Sequence, residues 1–225
     1  QSSEVEFRNQ NQQVNFEFNT LKDYYIPNPY QDLTAVVLQN GDWMTALSDI
    51  KPQFIQNQTY TYNQVMGNQF PGNNEFRYFD IRSLRLTQAW VKKRMNIGNQ
   101  KHVWLMTDKS RAYDRYMVWK DFNGRVYYDN RDIFKDTTSG TLGNQNGVAN
   151  ESDYCFVHFS VQSDAELKEP VYVYGELSDW RILESHRMYY NPDTRAYEAV
   201  IPLKQGYYNY VFGVRNPETN LLDFA

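Results

Sequence analysis

Apolar and polar residues trade places at every second position in short runs along this chain, and turn residues separate the runs from end to end. That period belongs to half-buried β-strands. Runs at 5–8 and 14–18 flank an Asn/Gln tract and predict a hairpin. Residues 34–39 (TAVVLQ) form a compact apolar run closed by Asn40-Gly41, the pair that a tight hairpin turn favours. Strands are predicted again at 76–86, 103–106, 116–120 and 125–128, the last two around a second hairpin signal, Asp121-Phe122-Asn123-Gly124. Towards the end they are predicted at 154–161, 171–174, 195–203 and 207–214, with turns at Asn191-Pro192-Asp193 and Lys204-Gln205-Gly206. One window, 84–95, has the length of a helix, although its β-branched and aromatic members also suit a strand.

The alternation lapses between 132 and 152, where DIFKDTTSGTLGNQNGVANES is polar and rich in Gly, Thr and Asn. A segment of this kind reads as a linker or a long surface loop. The predicted fold is therefore all-β: two antiparallel β-sandwich domains, immunoglobulin-like or early-set-like, joined by a polar loop. The domains are expected at 1–132 and 153–225, with 133–152 between them. The second is expected to lack a final strand, which would leave 207–214 beside an open sheet edge.

Composition sharpens this picture. Apolar residues make up 41% of the chain, and much of that share is aromatic, with 19 Tyr, 13 Phe and 5 Trp, which suits pleated sheet surfaces. The net charge of −4 and the lack of any long basic stripe predict no nucleic-acid partner. Lys92, Lys93 and Arg94, the nearest thing to a basic patch, read as a solvated strand end. The single cysteine excludes a disulfide within the chain. Cys155 shares a strand face with Val157, Phe159 and Val161 and reads as a core residue. No apolar run approaches the ~20 residues that span a bilayer. His102, His158 and His186 have no partner at metal-ligand spacing, and neither a GxSxG elbow nor a phosphate-binding glycine loop is present. No cofactor and no enzymatic activity are expected.

Three stretches carry a resemblance: VVLQNGDW at 36–43, NQFPGNNEFRYFDIR at 68–82 and KQGYYNYVF at 204–212. Together with 111–116 and Asp121-Phe122-Asn123-Gly124, they resemble a Bacteroidetes family long known only as a domain of unknown function and now described as the type IX secretion system plug protein. The resemblance implies a non-enzymatic, exported protein on the periplasmic side of the outer membrane, docking by protein–protein contacts on the translocon barrel. It also implies a family region before residue 5 and a strand after residue 225 that this chain is expected to lack. More loosely, VYVYGELSDW at 171–180, Met188-Tyr189-Tyr190, 195–202 and 206–212 resemble the early-set sandwich of starch- and glycogen-binding modules. That second likeness implies a glycan-binding role as the alternative.

Trp180, Tyr207, Tyr208 and Tyr210 are the candidates for contact with a partner or a glycan, because flat aromatic faces stack on sugars and tyrosine gives large contact area. Each also reads as packing. Period two places Tyr208, Tyr210 and Phe212 on one strand face and Tyr207, Asn209 and Val211 on the other. In the densest polar-aromatic strand the same rule puts Glu75 with Arg77 and Asp80 with Arg82. Those pairs read as carboxylate–arginine links that fix the strand. Glu75 and Asp80 point to opposite faces and cannot work as a glycosidase pair, which needs two carboxyls facing each other across a cleft.

Overall fold

The computed structural model describes residues 11–20, 24–64, 67–72, 76–86, 88–111, 122–132 and 152–224. The predicted strands at 5–8 and 116–120, Glu75, and nearly all of the expected linker lie outside these residues. The regular structure of the described residues is almost all β-strand, as the alternation predicts; the one α-helix among them is a single turn, α1 (Pro29–Asp32). No helix among the described residues is long and apolar enough to cross a membrane.

Two compact units divide the chain, Gln1–Asn73 and Asn74–Ala225. The first contains β1 (Asn11–Gln13), β2 (Phe16–Asn19), β3 (Ala35–Gln39), β4 (Asp42–Ile50), β5 (Phe54–Gln56), β6 (Thr59–Tyr62) and β7 (Gln69–Pro71). β2 does not fold back on its predecessor; it pairs with β6, which pairs with β5, while β1 pairs with β7. Register explains the choice. Opposite residues Phe16↔Tyr62 and Phe18↔Tyr60 stack at 4.5 and 5.0 Å, cross-strand aromatic pairs that stabilise a sheet beyond their burial. They form the small core with Ile50 and Leu47.

Asn40-Gly41 turns β3 into β4 as predicted. Both residues have positive φ, 57° and 85°, and Gln39 faces Asp42 across the turn. β4 is longer than β3, and the register shifts twice between them. Such bulges break the in–out alternation of a strand.

The second unit contains β8 (Arg77–Asp80), β9 (Val91–Ile97), β10 (Gln100–Leu105), β11 (Val126–Tyr128), β12 (Tyr154–Gln162), β13 (Val171–Tyr174), β14 (Arg187–Asn191), β15 (Ala196–Lys204), β16 (Gly206–Arg215) and β17 (Leu222–Phe224). They form one sheet in the order β11-β16-β13-β14-β15-β12-β10-β9, with β8 and β17 also paired to β16. The sheet curls round its own core. Phe79 on β8 meets Phe159 on β12 edge-to-face at 5.5 Å and stacks on Tyr208 at 5.0 Å. Cys155, Val157, Phe159 and Val161 line this core, with Tyr208, Tyr210 and Phe212 from β16.

Three expectations need correction. The division of the chain falls at 73/74, and one sheet takes strands from both sides of 133–152: β8 pairs with β16 and β10 with β12. The β10–β12 ladder is parallel, so this sheet is mixed rather than antiparallel. The window 84–95, open between helix and strand in the sequence, yields a bend followed by the edge strand β9. Finally, β16 is paired on both sides, by β8 and β17 on one and β11 and β13 on the other. β17 takes the place where an open edge was expected.

Candidate functional site

Trp180 sits just past a tight 3-10 turn at Glu176–Ser178, itself with positive φ (55°). Its ring is half-buried. It meets Tyr174 edge-on at 5.7 Å and Phe76 at 6.3 Å, and Tyr174 donates its hydroxyl to the Trp180 carbonyl at 3.0 Å. Beneath the rings lies Gly124, with φ 77° and no room for a Cβ. Trp180 thus closes the end of the sheet over the Asn123-Gly124 turn.

Tyr208 and Tyr210 point into the core, and burial raises both phenols above the ordinary tyrosine value. Tyr208 donates to the Lys204 carbonyl at 2.6 Å. Tyr207 faces outward but is hemmed in by Tyr78 (stacked, 5.6 Å), Phe122 (edge-on, 5.3 Å) and the Arg82 guanidinium, 5.5 Å above its ring. The four aromatic candidates are therefore not brought together on one accessible surface.

Arg82 grips Asp80 through two parallel bonds, Nε to Oδ1 at 3.0 Å and Nη2 to Oδ2 at 2.5 Å. Arg77 behaves otherwise. It is buried, donates from Nε to Asp108 Oδ2 at 2.7 Å and from Nη2 to the Lys109 carbonyl at 3.0 Å, and lies over Phe212 at 4.9 Å. Burial pulls its pKa down, and the Asp108 charge works against that pull. This partner lies thirty-one positions away; the local pairing expected with Glu75 falls outside the described residues.

The structure also gathers side chains that strand-by-strand reading leaves apart. On the outer face of the second unit, Lys93 lies 4.2 Å over Trp104, Trp104 stacks on His158 at 4.2 Å, and His102 stacks on Phe156 at 5.0 Å. His102 Nδ1 and His158 Nε2 are 2.9 Å apart and share a hydrogen bond. The contacts between β10 and β12 come from their parallel pairing, which no spacing in the sequence announces, and Lys93 faces Trp104 across the antiparallel β9–β10 ladder. The rings stand face to face, so their faces are taken up by one another and by Lys93. Among the described residues no cluster of three or more His, Cys, Asp or Glu is placed to hold a metal ion. Cys155 is buried, and burial pushes its thiol up to about 12, so it carries no thiolate nucleophile at neutral pH.

In the first unit the bulged hairpin presents Trp43 (71% exposed) and its neighbour Met44 to solvent, with Val36 on the opposite strand. Asp42 holds this turn by accepting the Met44 amide at 2.8 Å. Two consecutive outward side chains are what an interrupted alternation produces. Nothing in VVLQNGDW marks Trp43 as exposed, because the bulges that turn it outward leave no signal in the sequence.

An all-β chain of two units, with apolar side chains displayed on a hairpin and a sheet face, is the class that these observations define. No protein-family model and no curated protein sequence matches the chain. Among solved structures it is similar to a hypothetical protein from Parabacteroides merdae, with 28% identity and a TM-score of 0.80 over 95% of this chain. The match takes in 51% of that protein, so this chain spans about half of its length.

Proposed function

We propose that this chain is a non-enzymatic, exported docking protein that binds, by protein–protein contacts on the periplasmic side, an outer-membrane translocon of the type IX class. The observation that carries the docking part is the β3–β4 hairpin, where Trp43 and Met44 just past the turn and Val36 further back on β3 stand in solvent, Val36 and Trp43 within one of the stretches that bear the family resemblance. Exposed apolar side chains on one hairpin suit an interaction surface, and tryptophan is prominent among residues that dominate binding energy. The other two stretches support the same reading: β8 and β16, from NNEFRYFD and KQGYYNYVF, are sheet neighbours, so the resemblance includes a long-range pair. The curled sheet of the second unit is, on this reading, a sandwich of the immunoglobulin or early-set type. No observation favours the glycan alternative, since Trp180 is spent on Tyr174 and Phe76.

The test is retention of a large outer-membrane barrel protein from solubilised Bacteroidetes envelopes on the immobilised chain, with the Trp43→Ser variant alongside. Removing a binding hot spot of about 2 kcal/mol weakens retention by roughly thirtyfold. Equal retention by both forms would reject the hairpin as the docking element. Recovery of no barrel protein under conditions that recover translocon subunits would reject the partner. Retention on maltooligosaccharide resin would favour the glycan reading instead.

A further inference from the structure

At the β9–β10 end of the second unit lies a cavity of about 400 Å³, within the size range of small-molecule sites. Its charged lining is Arg85, Arg94, Lys101, Asp132 and Asp153. The two carboxylates are already engaged. Asp132 accepts from Ser83 Oγ at 2.5 Å, the Leu84 amide at 2.7 Å and Gln205 Nε2 at 3.0 Å. Burial works against its charge, but the bonds from Ser83 and the Leu84 amide prevail and hold it below the usual carboxylate range. Asp153 accepts from Lys101 at 2.5 Å.

Arg94 is left over. It sits opposite the buried Val103 in the β9–β10 ladder, and its Nε and Nη2 are buried with no acceptor among the described residues. Burial disfavours its charge. A buried, unpartnered guanidinium edge is costly, and the fork formed by Nε and Nη2 matches a carboxylate. Three cations against two carboxylates leave one positive charge in excess, which suits a single negative charge. The two aspartates oppose a dianion such as phosphate.

We propose that this cavity is a binding site for a carboxylate, received by the Nε–Nη2 edge of Arg94. Turning the guanidinium about its last rotatable bond presents that edge to the cavity, and Arg85 and Lys101 strengthen the field there. The carboxylate can belong to a free organic acid or to a peptide C-terminus; the chemistry at Arg94 is the same. The inference is independent of the docking proposal, which rests on the other unit. Its rival is that Arg94 is an inward-pointing charge on an edge strand, a device that discourages strand addition and needs no ligand.

The experiment titrates the full chain at constant ionic strength with acetate, with an N-acetylated tripeptide bearing a free C-terminal carboxylate, with its C-terminal amide, and with inorganic phosphate. The readout is the Arg94 Nε–H resonance together with calorimetry. Saturable one-to-one binding of acetate or of the free-acid tripeptide is expected. Arg94→Gln should weaken it about tenfold or more, the loss that goes with a charge-assisted hydrogen bond. The exposed Arg85→Gln, which leaves the fold untouched, should weaken it by a smaller factor. A tripeptide that binds more tightly than acetate, and loses binding when amidated, would identify a chain terminus; equal binding would identify a small acid. No saturable shift, unchanged binding in both variants, or tighter binding of phosphate than of any carboxylate would overturn the proposal.

Discussion

Arg77 shows a residue whose kind of bond is legible in the sequence while a partner far along the chain is not. Period two puts it on the inward face with Phe79 and Ile81, and all three are buried. Its ion pair is with Asp108, on a distant segment that no local pattern links to β8. A buried guanidinium deprived of its counter-charge is strongly destabilising, typically by about 3–5 kcal/mol, whereas replacing both partners with apolar groups can be close to neutral. Asp108→Ala should therefore lower the urea midpoint sharply. The double variant Arg77→Met with Asp108→Leu should recover most of the loss. If the single and double variants unfold at the same midpoint, the pair is not what holds this position.

Elements were legible where a strand's residue types and its flanking turns agree. β12 falls within a residue of its predicted bounds because its alternation is clean; β13 and β16, buried on both faces, do so because β-branched and aromatic runs end there at turn residues. The hairpin at Asn40-Gly41 was legible because the turn demands positive φ at both residues. β4 and β9 were not. WMTALSD and VKKRMNI are made largely of good helix formers, and β9 is an edge strand whose outer positions need no apolar residue. Nor could the sequence indicate that β10 and β12 run parallel, since parallel ladders have no connecting turn to betray them. The turn at Asn123-Gly124 offers a test at this scale. A Cβ on Gly124 would collide with the rings of Trp180 and Phe76, at a φ of 77° that side chains resist. Gly124→Ala should lower stability by about 1–3 kcal/mol and shift the fluorescence of Trp180. An unchanged melting temperature and emission would mean that the aromatic lid is not packed on this turn.

At the scale of the whole molecule, two consequences follow from how the second unit is put together. The first concerns pH. His158 and His186 both hold protons less tightly than an ordinary histidine: burial disfavours the imidazolium at each, and His102 and Lys93 add to the effect at His158. In the unfolded chain both return to about 6.5. A depressed folded value means that the unfolded chain binds more protons below that point, so stability rises with pH there and is lost as pH falls. The urea midpoint should be lower at about pH 5.5 than at about pH 7.5, with a smaller difference in His158→Gln. A midpoint that is flat or rises on acidification would contradict the assignment.

The second consequence separates the observed division of the chain from the one that composition suggests. If 153–225 were a domain, it would fold alone. In the structure that piece lacks β8, which pairs with β16 through Tyr207–Tyr210, and β10, which pairs with β12. Phe79 and Val103 leave the core with them, at a cost of about 1.5–3 kcal/mol for each large apolar side chain. Those losses, together with the buried Arg77, are large against the 5–15 kcal/mol by which a domain is usually stable. A fragment of 74–225 should melt cooperatively, and one of 153–225 should show neither a cooperative transition nor dispersed amide resonances. Should the shorter fragment fold as well as the longer, the unit boundary at 73/74 would be wrong. The polar segment would then divide two domains after all.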